Sequence, residues 1–164
     1  MRKLILLLTL LFPVVMNAAD YVVISGTVKL YEQPSSTGYA AQSASGADVV
    51  AERGMVFRCD DVQGAWDKVE YVTGMRAFVS GDMVVPQTSV SIPTPGSYTV
   101  NNTGGNVTIA RAGDAYTLND GKTTYNGTIA GNALIFKDIT GEIDYSAVTV
   151  DNQTYIYNYS QYGW

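Results

Sequence analysis

The 164-residue chain contains no histidine. Without an imidazole, neither a Ser-His nor a Cys-His nucleophile pair can be assembled. It has one cysteine, Cys59, so no disulfide can form within the chain, even in an oxidising compartment. Cys59 closes the run Met55-Val56-Phe57-Arg58-Cys59, in which Met55, Phe57 and Cys59 share one face of a strand. That pattern reads as a small buried hydrophobe rather than a reactive thiol. Positive charge is scarce: ten Lys and Arg stand against fifteen Asp and Glu, a formal charge of −5. A nucleic-acid footprint needs clustered basic residues and none is present, so nucleic acid is excluded as a partner and phosphate-rich ligands would be repelled. No carboxylate grouping has the alternating oxygen-ligand pattern of a calcium loop, and neither metal nor cofactor is expected.

The one long apolar run is at the start. Met1-Arg2-Lys3 is positive, Leu4 to Val15 is apolar apart from Thr9 and Pro13, and Asn17-Ala18-Ala19 places small residues before Asp20. This is the layout of a secretory signal over 1–19, with an apolar stretch too short to span a bilayer comfortably. A buried helix fits less well, because the run has no polar face. The expected location is therefore secreted or periplasmic. No cysteine lies near the cleavage region to take a lipid, so contact with a membrane is expected to be peripheral at most. Removing the signal leaves eight basic against fifteen acidic residues, a formal charge of −7. What remains is enough for one ordinary domain or two small ones.

After the signal no stretch shows helical periodicity. Short runs rich in Val, Ile, Thr, Tyr and Phe alternate with Gly, Asn, Asp and Pro, and sixteen glycines and five prolines punctuate them. The chain is predicted to be all-β. Pro86, Pro93 and Pro95 crowd one segment and favour extended geometry, so 87–95 is read as a Pro-rich, semi-rigid linker between a unit at 20–86 and a second at 96–164. The second unit is richer in Asn, Thr, Gly and Tyr and poorer in charge. Reversals are expected at Asn119-Asp120-Gly121, at Asn126-Gly127 and at Ala130-Gly131-Asn132, where glycine supplies positive φ. Their spacing of about ten residues suits an antiparallel meander or small barrel.

In the first unit, Trp66 to Val72 is predicted to be a strand, with Thr73-Gly74 turning the chain into a second strand over Arg76 to Ser80. Ser80-Gly81-Asp82-Met83 follows as one tight helical turn, and 60–65 is expected to be a loop. An ordered set of segments then stands out: Val28-Lys29-Leu30-Tyr31-Glu32-Gln33-Pro34-Ser35, Gly54-Met55-Val56-Phe57, Trp66-Asp67-Lys68-Val69-Glu70-Tyr71 and Ala77-Phe78-Val79-Ser80. Over about residues 22–85 this order resembles the bacterial SH3 (SH3b) domain, a small five-stranded barrel of cell-wall-associated proteins. Ala77 stands where that family commonly has Gly. The resemblance implies a shallow aromatic trough for short cell-wall peptides at Tyr31, Trp66 and Phe78, with Asp67 as a nearby polar partner. An aromatic plane supplies contact area at low entropic cost. From the residues alone, Phe78 reads more readily as core, and Trp66, on the outward face of its strand, as surface.

Other signals weigh less. Asp60-Asp61 and Glu142-x-Asp144 are the closest acidic groupings, but a glycosidase needs two carboxyls facing each other roughly 5 to 10 Å apart across a cleft. Five Asn-x-Ser/Thr sequons, at Asn101, Asn106, Asn126, Asn152 and Asn158, are accounted for by composition. The Tyr-rich end from Tyr155 to Trp164 resembles the aromatic-terminated last strand of outer-membrane barrels, yet those need eight or more strands of about 9 to 11 residues. Closing the second unit is the favoured role for it, with sugar stacking as the alternative. The whole reads as an exported, all-β, non-enzymatic binding protein of a bacterial envelope that recognises a cell-wall peptide or an envelope protein. A structural or adhesion module, and then a carboxylate-dependent hydrolase, are the competing expectations.

Overall fold

The computed structural model describes residues 21–162 and Trp164. The segment read as a signal lies outside the described residues. Among those described, the secondary structure is fourteen strands and three 3-10 turns, an all-β protein. The first half contains β1 (Tyr21–Val23), β2 (Val28–Lys29), β3 (Val50–Ala51), β4 (Val56–Gln63), β5 (Trp66–Val72) and β6 (Met75–Ser80). The second contains β7 (Val90–Ser91), β8 (Gly96–Thr99), β9 (Asn106–Ala112), β10 (Ala115–Asn119), β11 (Thr124–Ala130), β12 (Ala133–Lys137), β13 (Ile143–Val150) and β14 (Gln153–Asn158).

Strands β1, β4, β5 and β6 form an antiparallel sheet in the order β1-β4-β5-β6. It curls because short segments attach to both edges. On one edge Val85 N–H donates to Val23 O at 2.7 Å and Ile24 bridges Val84. On the other, Tyr31 and Phe78 exchange backbone bonds at 2.9 and 2.7 Å, tying the β2 segment to β6. The inner face gathers Val22, Leu30, Val49, Cys59, Val69, Ala77 and Val79, all buried. The helical turn after Ser80 is present as a 3-10 turn at Gly81–Met83. The expected loop over 60–65 is mostly strand, since β4 continues to Gln63 through a register shift between Cys59 and Asp61. That shift lets Asp60 join Arg58 and Arg76 on the sheet's outer face, an ion-pair network that local turn propensity does not register.

The second half is an up-and-down meander, β8 to β14 each paired antiparallel with the next. Seven strands are an odd number, so the first and last run parallel. Two asparagines bridge them. Asn101 N–H donates to Ile156 O at 2.7 Å and its Oδ1 accepts from Ile156 N–H at 2.7 Å; Asn102 Oδ1 and Nδ2 take Asn158 N–H and O at 3.0 and 2.8 Å. The side-chain amides stand in for a strand backbone and cap an edge that would otherwise be open. Inside lies a core of Ile109, Leu118, Leu134, Phe136, Ala147 and Ile156.

Two local expectations change. Asn126-Gly127 is not a reversal but the middle of β11. A Cβ on Gly127 would fall 2.8 Å from Phe136 Cε1 and 3.1 Å from Tyr116 Cβ, so this glycine serves close approach in a strand rather than a turn. The 87–95 segment carries a 3-10 turn at Gln87–Ser89, and β7 then pairs with the end of β13, with Val90 buried opposite Val150. It lies along a joint rather than across a gap.

That joint is extensive. A single apolar cluster contains Val22, Met55, Phe57 and Val79 from the first half and Ala133, Ile135, Val148, Val150, Tyr155 and Tyr157 from the second. The outer face of β12–β14 is thus covered by the curled sheet. Arg53-Gly54 docks on β14: Gly54 has φ +85°, and a Cβ there would sit 2.3 Å from Tyr155 Cβ. Tyr157 hydroxyl donates to Arg53 O at 2.9 Å, and Arg53 reaches Asp151 at 2.5 Å.

Candidate functional site

The four residues singled out by the sequence divide between two faces. Trp66 opens β5 opposite Ser80, and Lys68 stands opposite Phe78. Side chains two apart in a strand share a face, so Trp66, Lys68 and Phe78 lie together on the outside of the β5–β6 ribbon. The β2 segment brings Tyr31 to the same place through its bridge to Phe78. Its ring meets Trp66 edge-on, with centroids 5.8 Å apart and planes at 86°, a favoured aromatic geometry. Tyr31 and Trp66 are half-buried, so the indole is neither sealed nor splayed into water. Phe78 is 8% exposed. It forms the bed of this ledge, with the Lys68 ammonium 5.9 Å from its ring centroid.

Asp67 goes the other way. It pairs with Val79 and faces inward, where its Oδ1 lies 3.9 Å from the Cys59 sulfur. Burial raises the Asp67 carboxyl above its ordinary range. Burial, then the charge of Asp67, pushes the Cys59 thiol up to about 11, the state of a protonated, unreactive cysteine. Asp67 is therefore not part of the aromatic ledge. Beside the ledge, Tyr39 is 83% exposed, next to Ala40, which bridges Tyr31.

The sequence did not point to a second concavity, a cavity of about 290 Å³ at the joint. Phe57 and Tyr71 line it from the curled sheet; Tyr159, Tyr162 and Trp164 line it from the segment after β14. Trp164 lies 5.9 Å from Phe57, 6.1 Å from Tyr71 and 4.6 Å from Tyr162, centroid to centroid. The 3-10 turn Tyr159–Gln161 aims these rings back toward β4. Tyr159 fixes the turn: its hydroxyl donates to Val56 O at 3.0 Å, accepts from Val56 N–H at 2.7 Å and touches Ser146 Oγ at 2.9 Å. Enclosure pushes that phenol up to about 12. The Tyr-rich end, expected to close the second unit, meets the start of the meander through Ile156 and Asn158 and also turns its tyrosines onto the outer face, toward the curled sheet. Its only advance signal was the density of aromatic residues.

Charged groups edge the same cavity. Arg58 bonds Asp60 at 2.7 Å and Glu70 at 3.3 Å, and Arg76 bonds Asp60 as well. Glu70 also accepts the Gly74 N–H at 2.8 Å. The hydrogen bond from Arg76, then that from Arg58, holds the Asp60 carboxyl below its usual value despite partial desolvation. Lys137 and Glu142 complete the rim. Of the acidic pairs noted in the sequence, Asp60 is engaged in this network, while Asp61 accepts the Val62 N–H at 2.9 Å. Burial raises Asp144, helped by the charges of Asp138 and Glu142. Among the described residues no cluster of three or more Cys, Asp or Glu is placed to hold a metal ion. Compared with protein-family models, curated proteins and solved structures, the chain matches none.

Proposed function

We propose that the protein is an exported, non-enzymatic binding protein of a bacterial envelope, whose curled N-terminal unit is related to SH3b domains and recognises a short cell-wall peptide or an envelope protein. The observation that carries this reading is the edge-to-face Tyr31–Trp66 pair on the same face as Phe78, with Tyr31 and Trp66 both half-exposed. Rigid aromatic planes at a surface contribute contact area with few rotors to freeze. Lys68 at the margin adds a hydrogen-bond donor for a peptide carbonyl or carboxylate. The contact set is Tyr31, Trp66 and Lys68 with Phe78; Asp67, on the opposite face of β5, is not in it.

Retention on purified cell-wall sacculi tests this. The wild-type chain should be retained at low salt, and Trp66→Ala should reduce retention tenfold or more with an unchanged melting temperature. No retention, or retention indifferent to Trp66→Ala, would remove the reading. The exposed Tyr39 ring beside the ledge favours, as the second reading, a flatter protein-docking role. Cross-linking in intact cells distinguishes the two, because docking predicts one dominant protein neighbour.

A further inference from the structure

The joint cavity is independent of the Trp66 ledge and has its own chemistry. Its floor is aromatic, supplied by Phe57, Tyr71, Tyr162 and Trp164. Its lining holds charges of both signs: Arg58 and Lys137 against Glu70, Glu142 and Asp144, the last a carboxyl that burial shifts toward its neutral form. An isolated cation or anion would meet attraction and repulsion together, so the rim gives little net complementarity to a charged ligand. Hydroxyl groups suit it better. Each both donates and accepts, and a guanidinium beside a carboxylate offers one partner for each role.

These polar groups are also held in place. Arg58 is tied to Asp60 and Glu70, and Glu70 to the Gly74 amide, so little side-chain freedom remains to be lost on binding. The volume of about 290 Å³ lies near the lower end of small-molecule sites, about 300 to 1,000 Å³. That is room for one ring. We infer that the joint cavity binds a neutral sugar ring, stacked on Trp164 and hydrogen-bonded at its edge by the Arg58–Glu70 pair.

The site exists only where the two halves meet, since neither the curled sheet nor the meander contributes both floor walls. It therefore gives the second half a share in recognition. It also explains why the last turn carries Tyr159, whose three bonds hold Tyr162 and Trp164 against β4.

The two tryptophans of the chain fall one in each candidate site, which makes the test direct. In Trp66→Phe protein, emission comes from Trp164 alone. Titration with N-acetylglucosamine, methyl β-glucoside and the β-linked trimer of N-acetylglucosamine should give a saturable shift. Cyclohexanol, hexylammonium and hexanoate should act at least tenfold more weakly. Saturation by a monosaccharide identifies a free sugar as sufficient; saturation by the trimer alone identifies a chain end. Glu70→Gln should weaken the response tenfold or more. If that change disturbs melting, Tyr162→Ala carries the same expectation by calorimetry. The inference is overturned if no sugar gives a saturable shift, if cyclohexanol matches the sugars, or if both variants bind as the parent does. Because Trp66 is already replaced, this outcome is separate from retention on sacculi.

Discussion

Strands β8–β11 and β12–β14 belong to one meander but are built for different surroundings. In β9 and β10 buried and exposed residues alternate: Val107 and Ile109 point inward while Thr108 and Ala110 face water. β12 has no such alternation, because Ala133, Leu134, Ile135 and Phe136 are all buried. Leu134 and Phe136 fill the meander, and Ala133 and Ile135 meet the curled sheet. The outer row across the first strands is Ser97, Thr108, Asn119 and Thr124, exposed and uncharged. The difference shows that a continuous apolar run in a meander marks where something else must dock.

The largest effect should come from Gly54→Ala at the docked face. The added Cβ would overlap Tyr155 at 2.3 Å, in a backbone conformation at φ +85° that side chains rarely adopt. Overpacking and strain of this kind together cost about 3 kcal/mol or more, read as a lowered urea midpoint. Tyr159→Phe comes next. It leaves the Val56 N–H and C=O without their partner, and unsatisfied buried groups cost about 1–3 kcal/mol each. A loss below about 0.5 kcal/mol would mean that water replaces the hydroxyl and that the joint is looser than its geometry indicates.

The ion network sharpens the comparison from the charged side of the molecule. Asp60 has its folded pKa lowered, chiefly by the hydrogen bond from Arg76. Its contribution is fully present above the unfolded value of about 3.9 and is lost as pH falls through the lower folded value. Asp60→Asn should therefore lower the melting temperature at neutral pH and narrow its distance from wild type in acid. Exposed ion pairs are worth about 1 kcal/mol or less, so the shift should be small; a gap that widens in acid would contradict the assigned partners. Smallest of all is Thr108→Ala on the open face of β9, which should change stability by no more than about 0.5 kcal/mol.

Much of the fold can be read in advance from residue order. Trp66 to Val72, the Thr73-Gly74 turn and the strand ending at Ser80 are set by β-formers around a Gly with φ +79°. Gly127 shows where such reading fails, since an Asn-Gly pair looks like a turn until Phe136 from the next strand is seen to occupy the space above it. Asp60 shows the same for charge: Arg58 is two residues away on its own strand, but Arg76, sixteen residues away, reaches it only through the pairing of the sheet. At the ledge, Tyr31, Trp66 and Phe78 were identifiable as a set and the burial of Phe78 was legible from its place in the strand, but the inward turn of Asp67 was not.

The sequence by itself determined that the chain is all-β, that imidazole chemistry is unavailable to it and that Cys59 has no disulfide partner, because composition and local periodicity suffice for those statements. Tertiary structure alone decided that the Tyr-rich end would face the first half and that Trp164 would meet Phe57 across the joint. Such contacts depend on which faces of distant strands are left apolar once each sheet has formed. That quantity is set by three-dimensional packing, and no short stretch of residues encodes it.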